Sequence, residues 1–168
     1  MIRDLLLLGL FPAAMAFAAA SDLLTMKISN RLSVGLAVGF FIVALIVGMP
    51  LADVGRHVAA SLVVLVVSFG FFVRGWIGGG DAKLAAATAL WLGFPHLIDY
   101  LYVAGLVGGV MALFLLQVRT LPLPGMLLGT RWIERLHAAN AGIPYGIALA
   151  VAGLMVYPQT VFMRSLAG

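Results

Sequence analysis

Trp76-Ile77-Gly78-Gly79-Gly80-Asp81-Ala82-Lys83 sets three consecutive glycines and a carboxylate where one apolar segment of the chain stops and the next begins. Glycine leaves the backbone unrestrained and open to close approach by another chain. Such a break suits a site at which a peptide comes near an ionisable group. A simpler reading stands beside it, in which Asp81 caps the following helix by accepting its free N–H groups and the glycines are only loop.

The surroundings are apolar throughout. Of 168 residues, 64% are hydrophobic and 10% charged, and the mean hydropathy is +1.16. These values exclude a water-soluble globular domain and indicate an all-α polytopic membrane protein. The absence of Cys excludes disulfides, zinc knuckles and thiol nucleophiles. The formal net charge is +4, but the basic residues are dispersed singly and form no patch for nucleic acid. In such a chain they act as orientation signals and as contacts to anionic lipid headgroups. The three His are scattered without HExxH-type spacing, so neither a metal site nor a cofactor is expected.

Upstream of the glycines, apolar segments cover residues 57–73, ending at Arg74, and residues 32–49, closed by Pro50 and a polar turn with Asp53 and Arg56. The first segment, residues 5–20, contains Pro12 and ends in Ala18-Ala19-Ala20-Ser21, which imitates a signal-peptidase site. Arg3 and Asp4 cancel before it, however, and Lys27 and Arg31 follow it, the reverse of a secretory signal. A polar stretch from Ser21 to Arg31 comes next and carries a second carboxylate, Asp22. Downstream, a fourth segment is expected over residues 81–93, starting at Asp81. A fifth, over 97–118, offers Gly105, Gly108 and Gly109 for close helix contact. The connection 119–141 begins with Pro122 and Pro124. It then reads either as a short surface helix with Trp132, Ile133 and Leu136 on one side or as a solvated loop. The last segment, residues 143–163, opens with Pro144-Tyr145-Gly146. Six spans in one domain, residues 1–168, result.

Six spans starting outside place Lys27, Arg31, Arg74, Lys83, Arg119, Arg131 and Arg135 on the cytoplasmic side, against Arg3, Arg56 and Arg164 opposite. Asp22 and Asp81 then share the cytoplasmic face. Two carboxylates brought together in a partly dry place cannot both ionise cheaply, so one keeps a proton while the other is a base. Such a pair can activate water and protonate a leaving amine. Lys83, two residues beyond Asp81, points to a different helix face and reads as snorkelling to headgroups. Asn30 and Tyr145 are open between hydrogen bonding within the site and satisfying interface backbone. Asp53 with Arg56, and His96 with Asp99, read as ordinary polar groups of the outer face. A rival function is a small transporter whose two acids bind a cation or relay protons. Against it, both acids lie at one interface, and no interrupted spans repeat in two halves.

Gly78-Gly79-Gly80-Asp81 with Lys83, the Asp22…Ile28-x-Asn30 pattern, and Pro144-Tyr145-Gly146, in that setting, resemble the type IV prepilin peptidases, membrane aspartyl proteases with a Gly-x-Gly-Asp motif. Without Cys or a cytoplasmic insert, the chain resembles the short peptidase-only branch that serves Flp or Tad pili, the CpaA/TadV type. The resemblance implies removal of a short basic leader from a prepilin, just after a glycine and before its hydrophobic helix, at the cytoplasmic face of a bacterial inner membrane. Asp22 and Asp81 would be the catalytic pair. Gly78, Gly79 and Gly80 would leave room for the substrate backbone, with Lys83, Asn30 and Tyr145 shaping the site. Prepilin leaders and membrane lipids are the implied partners, and methyl transfer is not expected. A basic leader must approach basic loops, so local carboxylates or lipid phosphates have to offset the repulsion.

Overall fold

A computed structural model describes residues 2–167 and is all-helical, with no strand among the described residues. Its helices are α1 (Ile2–Thr25), α2 (Asn30–Ile46), α3 (Leu51–Val73), α4 (Gly79–Leu92), α5 (Leu97–Arg119), α6 (Arg131–His137), α7 (Tyr145–Val156) and α8 (Val161–Ala167). Three stretches, Arg3–Thr25, Leu51–Val73 and Phe94–Arg119, are long and apolar enough to cross a membrane, while Asn30–Ile46 and Tyr145–Gln159 are shorter apolar helices. The protein is a polytopic membrane protein.

Several boundaries differ from the expected ones, each for a local reason. Helix α1 continues through Ser21 and Asp22, because Thr25 Oγ1 bonds back to Ser21 O at 2.7 Å and Ser21 Oγ reaches forward to Lys27 O at 2.8 Å. It stops at Met26, whose backbone is left-handed (φ 55°), a conformation that costs a side-chain-bearing residue roughly 1–2 kcal/mol. Asp22 therefore lies within a helix rather than in a polar connection. The polar turn around Asp53 and Arg56 is likewise helical, and the two side chains pair at 2.8 Å in the first turns of α3. Helix α4 starts at Gly79, with Gly78 as its N-cap, and not at Asp81. The last segment divides at Tyr157–Gln159, a 3-10 turn containing Pro158, before α8. Proline lacks the N–H that a continuing helix needs.

Helix α4 is the centre of the bundle. From Ala82 to Leu92 every residue but Lys83 is buried. Its alanines let α2, α3 and α7 approach closely, and in a bilayer such packing replaces the hydrophobic drive between helices. Fourteen residues span about 21 Å at 1.5 Å each, less than the roughly 30 Å hydrocarbon core. The far end of α4 is locked by Trp91, whose Nε1–H donates to Leu36 O at 2.9 Å. Phe11, Tyr157 and Phe162 surround that indole. His57 Nδ1 lies 2.7 Å from Leu90 O, and its ring covers Gly93, a left-handed glycine at the α4 C-cap.

At the other end, the connection between α5 and α7 is tied down. Arg119 donates to Leu136 O at 2.7 Å and Gly142 O at 2.8 Å, and Arg135 donates to Leu24 O at 3.0 Å. Arg131–His137 is helical, with Trp132, Ile133 and Leu136 half-buried and Arg131, Glu134 and Arg135 exposed.

Candidate active site

Asp22 lies one turn before the end of α1 and Asp81 in the first turn of α4. Both line a pocket of about 300 Å³ whose other walls are residues 26–28 and 78–80.

Asp22 is only 4% exposed. Its Oδ2 accepts the Gly146 N–H at 2.7 Å, and the Ile147 N–H also faces the carboxylate. These donors belong to the first turn of α7, whose own N-cap, Pro144, offers no side-chain acceptor. Asp22 thus caps a helix from across the bundle, taking the Gly146 N–H, one of the early donors that a helix cannot pair internally, while the Ile147 N–H also bonds Pro144 O at 3.2 Å. The contact requires glycine, because a Cβ on Gly146 would stand 2.7 Å from Asp22 Oδ2 and 2.6 Å from Ile28 Cδ1.

Asp81 is positioned locally. As the third residue of α4 it folds back toward the N-cap and takes the Gly78 N–H, and a Cβ on Gly78 would lie 2.8 Å from its Oδ2. The capping reading of this carboxylate therefore holds in modified form, as a reach back from inside the helix. Gly80 lets the extended segment at Ile28 come close: a Cβ there would be 3.1 Å from Ile28 Cβ and 3.4 Å from Ile28 N. Gly79 lies against the Phe72 ring.

Lys83 and Asn30 meet each other, Nζ donating to Oδ1 at 2.9 Å, and tie the first turn of α4 to the first residue of α2. Both are exposed and outside the pocket lining. Tyr145 is not in the lining of that pocket but lines a neighbouring cavity together with Asp81. Its hydroxyl donates to Ala104 O at 3.1 Å, and its ring occupies the space over Gly108, where a Cβ would collide with Cε2. Of the three α5 glycines expected to serve close contact, Gly108 does so. Gly105 and Gly109 face open space.

Sequence reading did not single out Gly146, Met26 or Lys27 as site residues. Gly146 had a signal in the Pro-Tyr-Gly run, although its task depends on where α1 lies. Lys27 and Met26 line the pocket because of the turn at Met26, which no glycine marks.

A bundle of apolar helices here brings two carboxylates from different helices to one pocket near the ends of those helices, in a polytopic membrane protein. Residues 9–113 match the model of the type IV leader peptidase family. The chain belongs to that family, which makes it a leader-peptidase-like protease. The matched region contains Asp22, Asn30 and residues 78–83, whereas Pro144-Tyr145-Gly146 lies beyond it. No curated protein and no solved structure matches the chain.

Proposed function

We propose that this protein is a membrane aspartic endopeptidase in which Asp22 and Asp81 are the acid and base. Its substrates are Flp-type prepilins, cut after the glycine that ends their short basic leader, at the cytoplasmic face of a bacterial inner membrane, without methyl transfer. The observation that carries this reading is the convergence of the two carboxylates on one pocket from α1 and α4. In the reaction, one carboxylate takes a proton from a water held between them and the hydroxide adds to the scissile carbonyl carbon. The other carboxyl gives its proton to the amide nitrogen as the C–N bond breaks. The new carboxylic acid and amine leave, and the pair returns to sharing one proton.

The pocket has a polar side suited to a peptide backbone. Its carboxylates are the local negative charge that offsets Lys27 when a basic leader approaches. A transporter reading finds less support, since the two acids sit near one end of the helices that carry them.

Co-expression with a candidate Flp-type prepilin, followed by determination of the pilin's mass and N-terminal residue, tests the proposal. Wild type should release a leader ending in glycine, and Asp22→Asn and Asp81→Asn should not. An intact leader with every pilin from the same cell, the protein being inserted, would overturn it and make ion flux the next assay.

A further inference from the structure

A second cavity, of about 320 Å³, reaches Asp81 from between α3 and α5. Helix α3 packs along α4 and α5 packs along α7, but α3 and α5 form no extended interface with each other. The cleft left between them has Val67 and Phe71 on one wall, Leu101 and Ala104 on the other, and Ala85 and Leu149 at its floor. It opens sideways, because Val67 is 51% and Leu101 48% exposed.

We propose that this cleft holds the apolar helix that follows the scissile bond of the substrate, admitted laterally from the bilayer between α3 and α5. The inference rests on the peptidase reading and adds where the uncleaved part of the substrate lies. Asp81 lines both this apolar cavity and the polar pocket it shares with Asp22. One carboxylate therefore marks the boundary between a polar and an apolar chamber. A chain that changes from polar leader to apolar helix at the bond to be cut matches that boundary, with its two halves in the two chambers.

The rest of the lining supports a peptide side-chain face over a lipid headgroup. Ser68 Oγ is committed to Val64 O at 2.6 Å, and the Tyr145 hydroxyl to Ala104 O. The lining includes no Lys, Arg or His, so the cleft offers no cation to a phosphate. Its volume suits a few apolar side chains on one face of a helix, the remainder staying in lipid, and lies in the size range of ligand pockets.

Because the chain has no Cys, single cysteines report cleanly. The probe is a synthetic prepilin with a basic leader ending in glycine, an apolar helix of about 20 residues, and one cysteine early in that helix. In the membrane-inserted Asp81→Asn protein, with a mild added oxidant to accept the two electrons, Val67→Cys and Leu101→Cys should form disulfides with the probe. Val34→Cys, on the exposed face of α2, should not. With both aspartates intact, Val67→Trp and Leu101→Trp should lower cleavage of this probe about tenfold or more, the scale of losing a side chain's fit in an apolar pocket. Val34→Trp should leave it unchanged; wild type is also assayed on a soluble leader peptide that lacks the apolar helix.

Wild type that cleaves, combined with equal crosslinking at Val34→Cys or with undiminished cleavage by the tryptophan variants, would overturn the cleft proposal alone and leave it a lipid-filled groove. Wild type that cleaves neither substrate would overturn the peptidase reading, and this inference with it. The cysteine substitutions lie at exposed positions, so the crosslinking arm stands even if a tryptophan variant fails to fold.

Discussion

Asp22 is held by a backbone N–H from the other end of the chain, at Gly146, whereas Asp81 is held by Gly78, three residues before it. Asp22 is nearly sealed and caps α7. Asp81 is part-buried and belongs to the lining of two cavities. The long-range carboxylate is therefore tied to the packing of α1 on α7, and the local one to the glycine turn that opens α4. Asp22 is part of the frame as well as of the shared pocket, and Asp81 is the more open of the two.

Substitution of either acid tests both halves of this contrast. Asp22→Asn and Asp81→Asn should each cut prepilin processing by about 10²–10⁴-fold, the usual worth of a general acid or base, with insertion intact. Alanine should then separate them. Asp22→Ala removes the cap of α7 and should lower thermal stability in detergent by about 0.5–2 kcal/mol relative to Asp22→Asn, whose carbonyl can still accept the Gly146 N–H. Asp81→Ala should differ from Asp81→Asn by much less. Equal stability losses at the two positions would break the comparison.

Gly146→Ala comes next. Its Cβ would push on Asp22 Oδ2 and Ile28 Cδ1 together, so processing should fall by about 10²-fold, as for a misplacement near 1 Å. The protein should remain inserted. Gly78→Ala meets only the free end of Asp81, which can rotate aside, and a loss under about tenfold is expected. A larger loss at Gly78 than at Gly146 would reverse the assignment of rigid and adaptable sides. Initial rates on one prepilin at matched protein levels measure both.

Much of this arrangement is legible in the sequence. The six apolar segments recur as helices in order, because long apolar runs have few structural options in a bilayer. The charge bias placed Asp22 and Asp81 on one face, and both line one pocket. What escaped depends on contacts between distant segments or on local side-chain bonds. Ser21 and Thr25 read as loop residues until their hydroxyls are seen bonding to nearby backbone and carrying α1 past Asp22. Gly105, Gly108 and Gly109 are equivalent by type, and only the rotation of α5 selects Gly108 to receive Tyr145. Gly146 is a glycine because of a carboxylate far back in the chain. The cleft beside Asp81 exists because α3 and α5 pair with other helices, a property of the assembled bundle that no segment carries alone.

Lys83 tests whether position near the site means participation in it. It shares the first turns of α4 with Asp81, yet its ammonium is bonded to Asn30 at 2.9 Å and both groups are exposed. Water competes for such a bond, so Lys83→Ala and Asn30→Ala should each cost about 0.5–1 kcal/mol of stability. The double variant should cost little more than either single one, because the two changes remove the same contact. Processing should fall no more than about threefold, through loosening of the α2–α4 contact, a shift worth under about 1 kcal/mol. Lys83→Ala that abolished processing while Asn30→Ala did not would put the ammonium in the chemistry beside Asp81. That carboxylate would then depend on more than the turn that carries it.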